Sequence, residues 1–185
     1  MIDDVIKHSD ERMVKAVESA AHDFTTIRTG RANPLLLDKV VVEVYGSTMP
    51  INQLANVSVP EPRQLMIAPW DRNMLSHIEK AILKSDIGLT PNSDGNVIRL
   101  NIPQLTEERR KEFIKLLHKK TEEHRVAIRN IRRDANDELK HLEKDGHASE
   151  DEIKRTQEQI QKKTDKHIEE IDRLTKVKEA ELLEV

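Results

Sequence analysis

Cysteine is absent from the 185 residues, and only four aromatic side chains occur: Phe24, Tyr45, Trp70 and Phe113. Without thiols there are neither disulfides nor thiolate metal sites, which fits a reducing cytoplasm. Four rings are too few for a platform that stacks single-stranded nucleic acid. No apolar run approaches the ~20 residues needed to cross a bilayer. The start, Met1-Ile2-Asp3-Asp4-Val5-Ile6, has neither the basic region nor the apolar stretch of a signal peptide. A cytoplasmic protein with no membrane partner is expected. Phosphate-binding loops, dinucleotide fingerprints and Gly-x-Ser-x-Gly elbows are missing too. Neither an enzymatic activity nor a cofactor is expected.

Charge is what the chain has in quantity: 31 Lys/Arg against 34 Asp/Glu, for a net of −3. Such a composition resembles that of disordered proteins, but those combine high net charge with no apolar periodicity. Here the net charge is small and the periodicity strong, so an elongated fold with a thin apolar seam is expected.

Proline marks the domain boundary. All seven prolines lie between Pro34 and Pro103, and proline interrupts helix interiors. The flanks can therefore be continuous helix while the middle cannot. Before Pro34, apolar residues recur at Ile6, Met13, Val17, Ala20, Phe24 and Ile27, the spacing of one helix, with Gly30 as its expected left-handed terminator. After Pro103, Thr106 is a candidate N-cap. The helix that follows presents Phe113, Leu117, Ile128, Ile131, Ala135 and Leu142 inward and stops near Gly146. Ser149 and Glu152 form a capping box that opens a third helix with Ile153, Ile160, Ile168, Ile171, Leu174 and Leu182 as its seam. A two-helix hairpin leaves its stripe half covered, and the N-terminal helix is the natural third member. The expected fold is α+β: an elongated antiparallel three-helix bundle from 1–29 and 106–185, with a small β/α/β domain inserted at 31–104.

Within the insert, 39–45 reads as a β-branched strand, Gly46-Ser47 as a hairpin turn, and 64–68 and 97–102 as further strands. Asp71 caps a short helix with Leu75, Ile78 and Ile82 inward. Trp70 is expected in the packing of this domain. The two crossings, near 30–34 and 102–106, suggest a hinge at Gly30, Arg31, Pro34, Pro103, Gln104 and Leu105.

Residues 109–133 hold ten Lys/Arg and three Asp/Glu, a local +7, so the remainder of the chain sums to −10. Lys111, Lys115, Arg125, Arg129, Arg132 and Lys140 fall on one row of three- and four-residue steps, read as lying about 200° around the helix from the Phe113/Leu117 row. A cationic row on an acidic protein is a docking surface for a polyanion. Arginine forks suit phosphate oxygens, and folded RNA read by shape and phosphate fits better than a base sequence. A solvated face laced with ion pairs is the plain alternative, and a scaffold for an acidic protein is another. His141, Glu143 and His147 straddle a helix end without a metal-ligand spacing, so no metal is expected. His124 and His167 lie at the apolar seams, where hydrogen-bonded structural histidines are the default.

Three stretches carry a resemblance. They are Ile27-Arg28-Thr29-Gly30-Arg31-Ala32-Asn33-Pro34, the run from Pro103 to Glu112, and Arg125-Val126-Ala127-Ile128-Arg129-Asn130-Ile131-Arg132-Arg133-Asp134-Ala135-Asn136-Asp137. Together, in this order and spacing, they resemble the bacterial ribosome recycling factor family, and the resemblance spans the chain. It implies an L-shaped monomer that binds ribosomal RNA of the large subunit at its inter-subunit face. It also implies that the post-termination ribosome is disassembled together with elongation factor G and GTP. By the same resemblance Arg129 and Arg132 are RNA contacts, with Arg133 and Arg125 beside them and Arg28, Arg109 and Arg110 around the hinge, while small-domain loops would meet the elongation factor.

Overall fold

The computed structural model describes residues 1–184. It divides into two compact units, Met1–Ile27 with Glu107–Leu183, and Arg28–Thr106 with Glu184 grouped beside it. The first is a bundle of three helices, α1 (Ile2–Thr25), α3 (Glu107–Lys144) and α4 (Glu150–Leu183). The second holds six short strands, one α-helix, α2 (Leu75–Lys84), and three short 3-10 turns.

Local signals explain the helix ends. Ser149 Oγ accepts from the Glu152 amide at 3.2 Å while the Ser149 amide donates to Glu152 Oε2 at 3.3 Å, the reciprocal bonds of a capping box. The α3 terminus closes at Gly146, φ +76°, with the His147 amide reaching the Leu142 carbonyl. Gly30 does not play that part for α1. The helix ends at Thr25, where Thr25 and Thr26 turn their hydroxyls back onto the carbonyls of His22 and Asp23. Gly30 has no positive φ, and an added Cβ there would meet nothing within 4 Å. The two hydroxyls satisfy carbonyls that the last turn leaves open, and α1 ends without a left-handed glycine.

The bundle seam is more polar than apolar spacing suggests. Met13, Ala20, Phe24, Leu117, Ile128, Ile131, Ala135, Ile153, Ile160, Ile171 and Leu182 are buried as expected, but Ile6, Val17, Phe113, Leu142, Ile168 and Leu174 keep partial solvent contact. Ser9, Thr121, Thr156, Thr164 and Thr175 take seam positions instead. Each turns its hydroxyl onto a carbonyl of its own helix at 2.7–2.9 Å, so what faces the seam is largely methyl and methylene.

The small domain has two sheets. The hairpin β1 (Val41–Val44) and β2 (Ser47–Pro50) stands alone. Strands β3 (Ala55–Glu61), β4 (Gln64–Pro69), β5 (Pro91–Ser93) and β6 (Ile98–Asn101) form an antiparallel sheet in the order β3-β4-β6-β5. The hairpin turn is Tyr45-Gly46, one residue earlier than the expected Gly46-Ser47. Both have positive φ, +48° and +81°, as a type I′ turn demands. Asp71 caps the short turn 72–74 by accepting from the Asn73 amide, and α2 follows with Ile78 and Ile82 buried. Strands β1 and β6 lie within the runs expected for them and β4 extends one residue past its own, to Pro69, while β2, β3 and β5 carry prolines and polar residues and were not marked as strands. Trp70 is the clear correction: its side chain is 69 % exposed, at the end of β4, and does not pack into the core.

Candidate nucleic-acid interface

Helix α3 carries the cations, and its rotation decides what each can do. At 100° per residue, Arg125 and Arg132 stand three before and four after the fully buried Ile128, hence about 60° and 40° from it. They flank the seam and do not oppose it, contrary to the 200° reading. That angle holds between Lys111 and Phe113 but does not apply at these two arginines. Their partners follow from the geometry. Arg125 directs Nε and Nη2 to one oxygen of Asp172 on α4 at 2.8 and 2.6 Å, and Nη1 to Glu122 at 3.2 Å. The hydrogen bonds that Arg125 donates to Asp172 and then to Glu122 raise its pKa against the cost of its burial. Arg125 therefore ties α3 to α4. Arg132 is half-buried and donates to the Gln161 amide oxygen of α4 at 3.1 Å, with no carboxylate bound to it among the described residues.

Farther round, Arg129 and Arg133 turn outward, about 100° and 140° from Ile128. Arg129, its side chain 38 % exposed, meets Glu122 at 2.9 Å. Hydrogen bonds from Arg129 first and Arg125 second hold the Glu122 carboxyl below its ordinary range. Arg133 is exposed, and among the described residues its one side-chain partner is the neutral Asn130 Oδ1 at 3.5 Å. Lys115, Lys119 and Lys140 are exposed and make no ion pair among the described residues. The local excess of bases over acids therefore stays unneutralised at these positions. Lys111, Lys120 and Arg125 instead draw on Glu107, Asp23 and Asp172 from outside the 109–133 window.

Toward the start of α3, Arg109 lies over the Phe113 ring at 5.2 Å from its centroid and faces Glu112 at 3.5 Å. Arg110 is half-buried, with its Nε enclosed away from any acceptor. In the small unit, Arg28 donates to the Ile87 carbonyl, and Arg31 donates through Nε to Glu184 at 2.6 Å. Pro34 opens a single 3-10 turn capped by Asn33, whose side chain accepts from the Leu35 amide at 3.0 Å. Pro103, Gln104 and Leu105 belong to no helix or strand. Proline and the exposed polar residue keep that crossing extended.

The opposite flank of α3 packs on α1 through charge. Asp23 accepts from Lys120 at 2.7 Å and shares a 2.7 Å hydrogen bond with His124, whose ring meets Phe24 edge-on at 5.9 Å. The same arrangement recurs between α1 and α4, where Asp10 binds His167 at 2.9 Å and lies 3.6 Å from Lys163. In both, a lysine and a histidine four residues apart on one helix embrace one aspartate on α1. Burial works to raise the Asp23 pKa, but hydrogen bonds from Lys120 and His124 outweigh it. For Asp10 the His167 hydrogen bond is the chief cause of a lowered value. The two histidines are thus structural, as their seam positions suggested. Recurrence of Lys-x-x-x-His in both helices was a readable signal of the pairing. Among the described residues no group of three His, Asp or Glu converges to hold a metal. No helix is long and apolar enough to cross a membrane.

A three-helix bundle with a cation-bearing central helix and an inserted α/β domain defines the structural class. Comparison with known proteins then names the family. The family model "Ribosome recycling factor" matches residues 20–183. Ribosome-recycling factors of Desulfitobacterium hafniense and Carboxydothermus hydrogenoformans are 63% and 60% identical, each over 185 residues and 100% of both chains. A solution structure of the ribosome recycling factor aligns with a TM-score of 0.78 at 47% identity, covering 100% of this chain and 98% of that one. Models of the T. thermophilus ribosome recycling factor and E. coli elongation factor G bound to the E. coli post-termination complex align with a TM-score of 0.69 at 47% identity, covering 100% of both chains. The chain belongs to the ribosome recycling factor family.

Proposed function

We propose that this chain binds the post-termination ribosome through its bundle and, with elongation factor G and GTP hydrolysis by that partner, promotes disassembly of the complex. The observation that carries the reading is the outward arc of α3. Among the described residues Arg132 and Arg133 have only neutral side-chain partners, Arg129 shares a single surface carboxylate, and Lys115, Lys119 and Lys140 are exposed. Guanidinium groups so disposed suit ribosomal RNA phosphates of the large subunit at its inter-subunit face. Arg129, Arg132 and Arg133 make the contacts. Arg125, spanning to Asp172, holds the arc in place. Arg28, Arg109 and Arg110 support the crossings between the units, and Gly30, Arg31, Pro34, Pro103, Gln104 and Leu105 form the hinge through which force on the small domain reaches the bundle. The chain works as a monomer in the cytoplasm and performs no chemistry of its own. Support comes from the relative bound with elongation factor G to a post-termination complex.

Sedimentation with purified ribosomes tests the docking. Arg132→Ala is expected to weaken binding by about 1–3 kcal/mol and to lower the salt slope by roughly one counterion. Unchanged binding at equal helicity would remove Arg132 from the interface. Subunit splitting, followed by light scattering with elongation factor G and GTP, tests the activity. The wild-type chain is expected to split the complex only when all three are present.

A further inference from the structure

The small domain has a groove of its own, about 290 Å³, between β1 and α2. Three features meet there. The first is charge: Lys39 from the β1 side and His77, Lys80 and Lys84 from α2 line it, against the single carboxylate of Glu43. His77, Lys80 and Lys84 are spaced three and four apart on the exposed side of α2, while Ile78 and Ile82 hold the other side in the core. None of these four basic residues makes an ion pair among the described residues. Glu43 pairs with none of them.

The second feature is an apolar floor. Val41 is 57 % exposed in the groove, and Ala81 faces it from α2. The third is main-chain polarity. Strand β1 pairs with β2 alone. The hairpin closes on Val44↔Ser47 and continues through Val42↔Met49. In an antiparallel ladder alternate residues bond across, so with a two-residue turn Val44 and Val42 face β2. Val41 and Glu43 then direct their amides and carbonyls to the free edge, the edge that borders the groove. A free strand edge is a template for another chain, and native edges are often blunted by charge. Here lysines flank it, and their charge disfavours a basic strand while favouring an acidic one.

We infer that the β1–α2 groove is a docking site for an extended acidic segment of a protein partner, added as a strand to β1. Main-chain bonds form with Val41 and Glu43, one apolar side chain lies on Val41 and Ala81, and carboxylates on either side meet Lys39, Lys80 and Lys84. The groove has no arginine fork, which phosphate backbones favour, and its one ring is the imidazole of His77, with no Phe, Tyr or Trp beside it to stack bases. The exposed valine and free strand edge favour a peptide. The size, just under the range of small-ligand pockets, suits one or two side chains and not a packed helix. The inference concerns the small domain alone and is independent of RNA docking by α3.

The test uses the full chain and a synthetic peptide of alternating Glu and Val, with a Lys-Val peptide and a single-stranded RNA oligonucleotide of matching charge as controls. Amide shifts by NMR locate binding, and titration up to about 1 mM gives affinity. The acidic peptide is expected to shift the Val41 and Glu43 amides and to bind more weakly as salt rises, while the Lys-Val peptide leaves them unmoved. Double charge reversal, Lys80→Glu with Lys84→Glu on the exposed side of α2, is expected to weaken binding about tenfold or more. Val41→Pro removes an outward amide without touching a β1–β2 bond and should weaken it as well. Three results would overturn the inference: no shift at Val41 and Glu43 up to that concentration, equal or tighter binding of the RNA there, or affinity indifferent to the charge reversal in a chain that remains folded.

Discussion

In the small domain the core is wholly apolar: Leu65, Ile67, Ile78, Ile98 and Leu100 are completely buried, and every other core member is aliphatic or methionine. The bundle encloses hydroxyls along its seam and borders it with two Asp–His–Lys clusters. Short strands and one helix converge on a compact centre, where apolar area alone specifies the packing. Three long helices can slide past one another by a turn while keeping apolar residues in contact. Fixed polar partners penalise that slippage, because a shifted register strands a half-buried carboxylate. The contrast suggests that the insert depends mainly on shape and the bundle also on alignment.

The largest effect should come from breaking the apolar side of this comparison. Leu65→Ala, at a fully buried strand position, is expected to cost about 2–5 kcal/mol, read by urea unfolding followed at small-domain amides. Asp23→Asn comes next. It takes the charge from Lys120 and His124 together, yet the site retains water contact, so about 1 kcal/mol is expected. The diagnostic readout is a loss of hydrogen-exchange protection along α1 greater than in an exposed control such as Asp3→Asn. If the two lose equal protection, alignment does not rest on that cluster.

Acid should act through the same groups. Asp10 and Asp23 have folded pKa values below their reference of 3.8. Each therefore contributes stability that is present above about that value and is lost as pH falls through the lower folded value. Unfolding free energy is expected to decline below roughly pH 4, and Asp23→Asn should flatten that decline. The smallest effect is reserved for Thr121 and Thr175, whose hydroxyls lie 2.9 Å apart while each has a carbonyl of its own helix. Replacing both with Val is expected to change stability by no more than about 1 kcal/mol, measured by thermal unfolding. A larger loss would make the hydroxyl pair a register determinant in its own right.

Much of this contrast could be read from residue order. Proline confined to 34–103 marked the insert, and Ser149 with Glu152 marked the start of α4 to the residue. Two kinds of feature escaped. Polar seam residues did, because threonine and serine read as surface until their hydroxyls are seen turned onto the preceding helical turn. Strands β2, β3 and β5 did too, because Pro50, Pro60 and Pro91 sit in or at the ends of edge strands that alternation does not mark. At the candidate interface the cation-rich helix was evident, but rotation was not. Only distance from Ile128 separates Arg125, bound to Asp172, from Arg133, turned to water. Trp70 was misread for a related reason: a lone ring in an apolar neighbourhood is usually buried, and here the chain reaches the end of β4 with the ring outside.

Glu122 bears on how the α3 arc would respond to a phosphate. Its carboxylate occupies Arg129 and one arm of Arg125 at once, so the protein brings its own resident anion to the place where an RNA oxygen would settle. An incoming phosphate then evicts a tethered group in place of a mobile ion, and fewer free ions return to solution than the number of arginines suggests. The tether also discourages casual sticking to any passing polyanion, since only a ligand that engages several cations together repays the eviction. Glu122→Gln would loosen that restraint, with indiscriminate RNA binding and a steeper salt response as its mark.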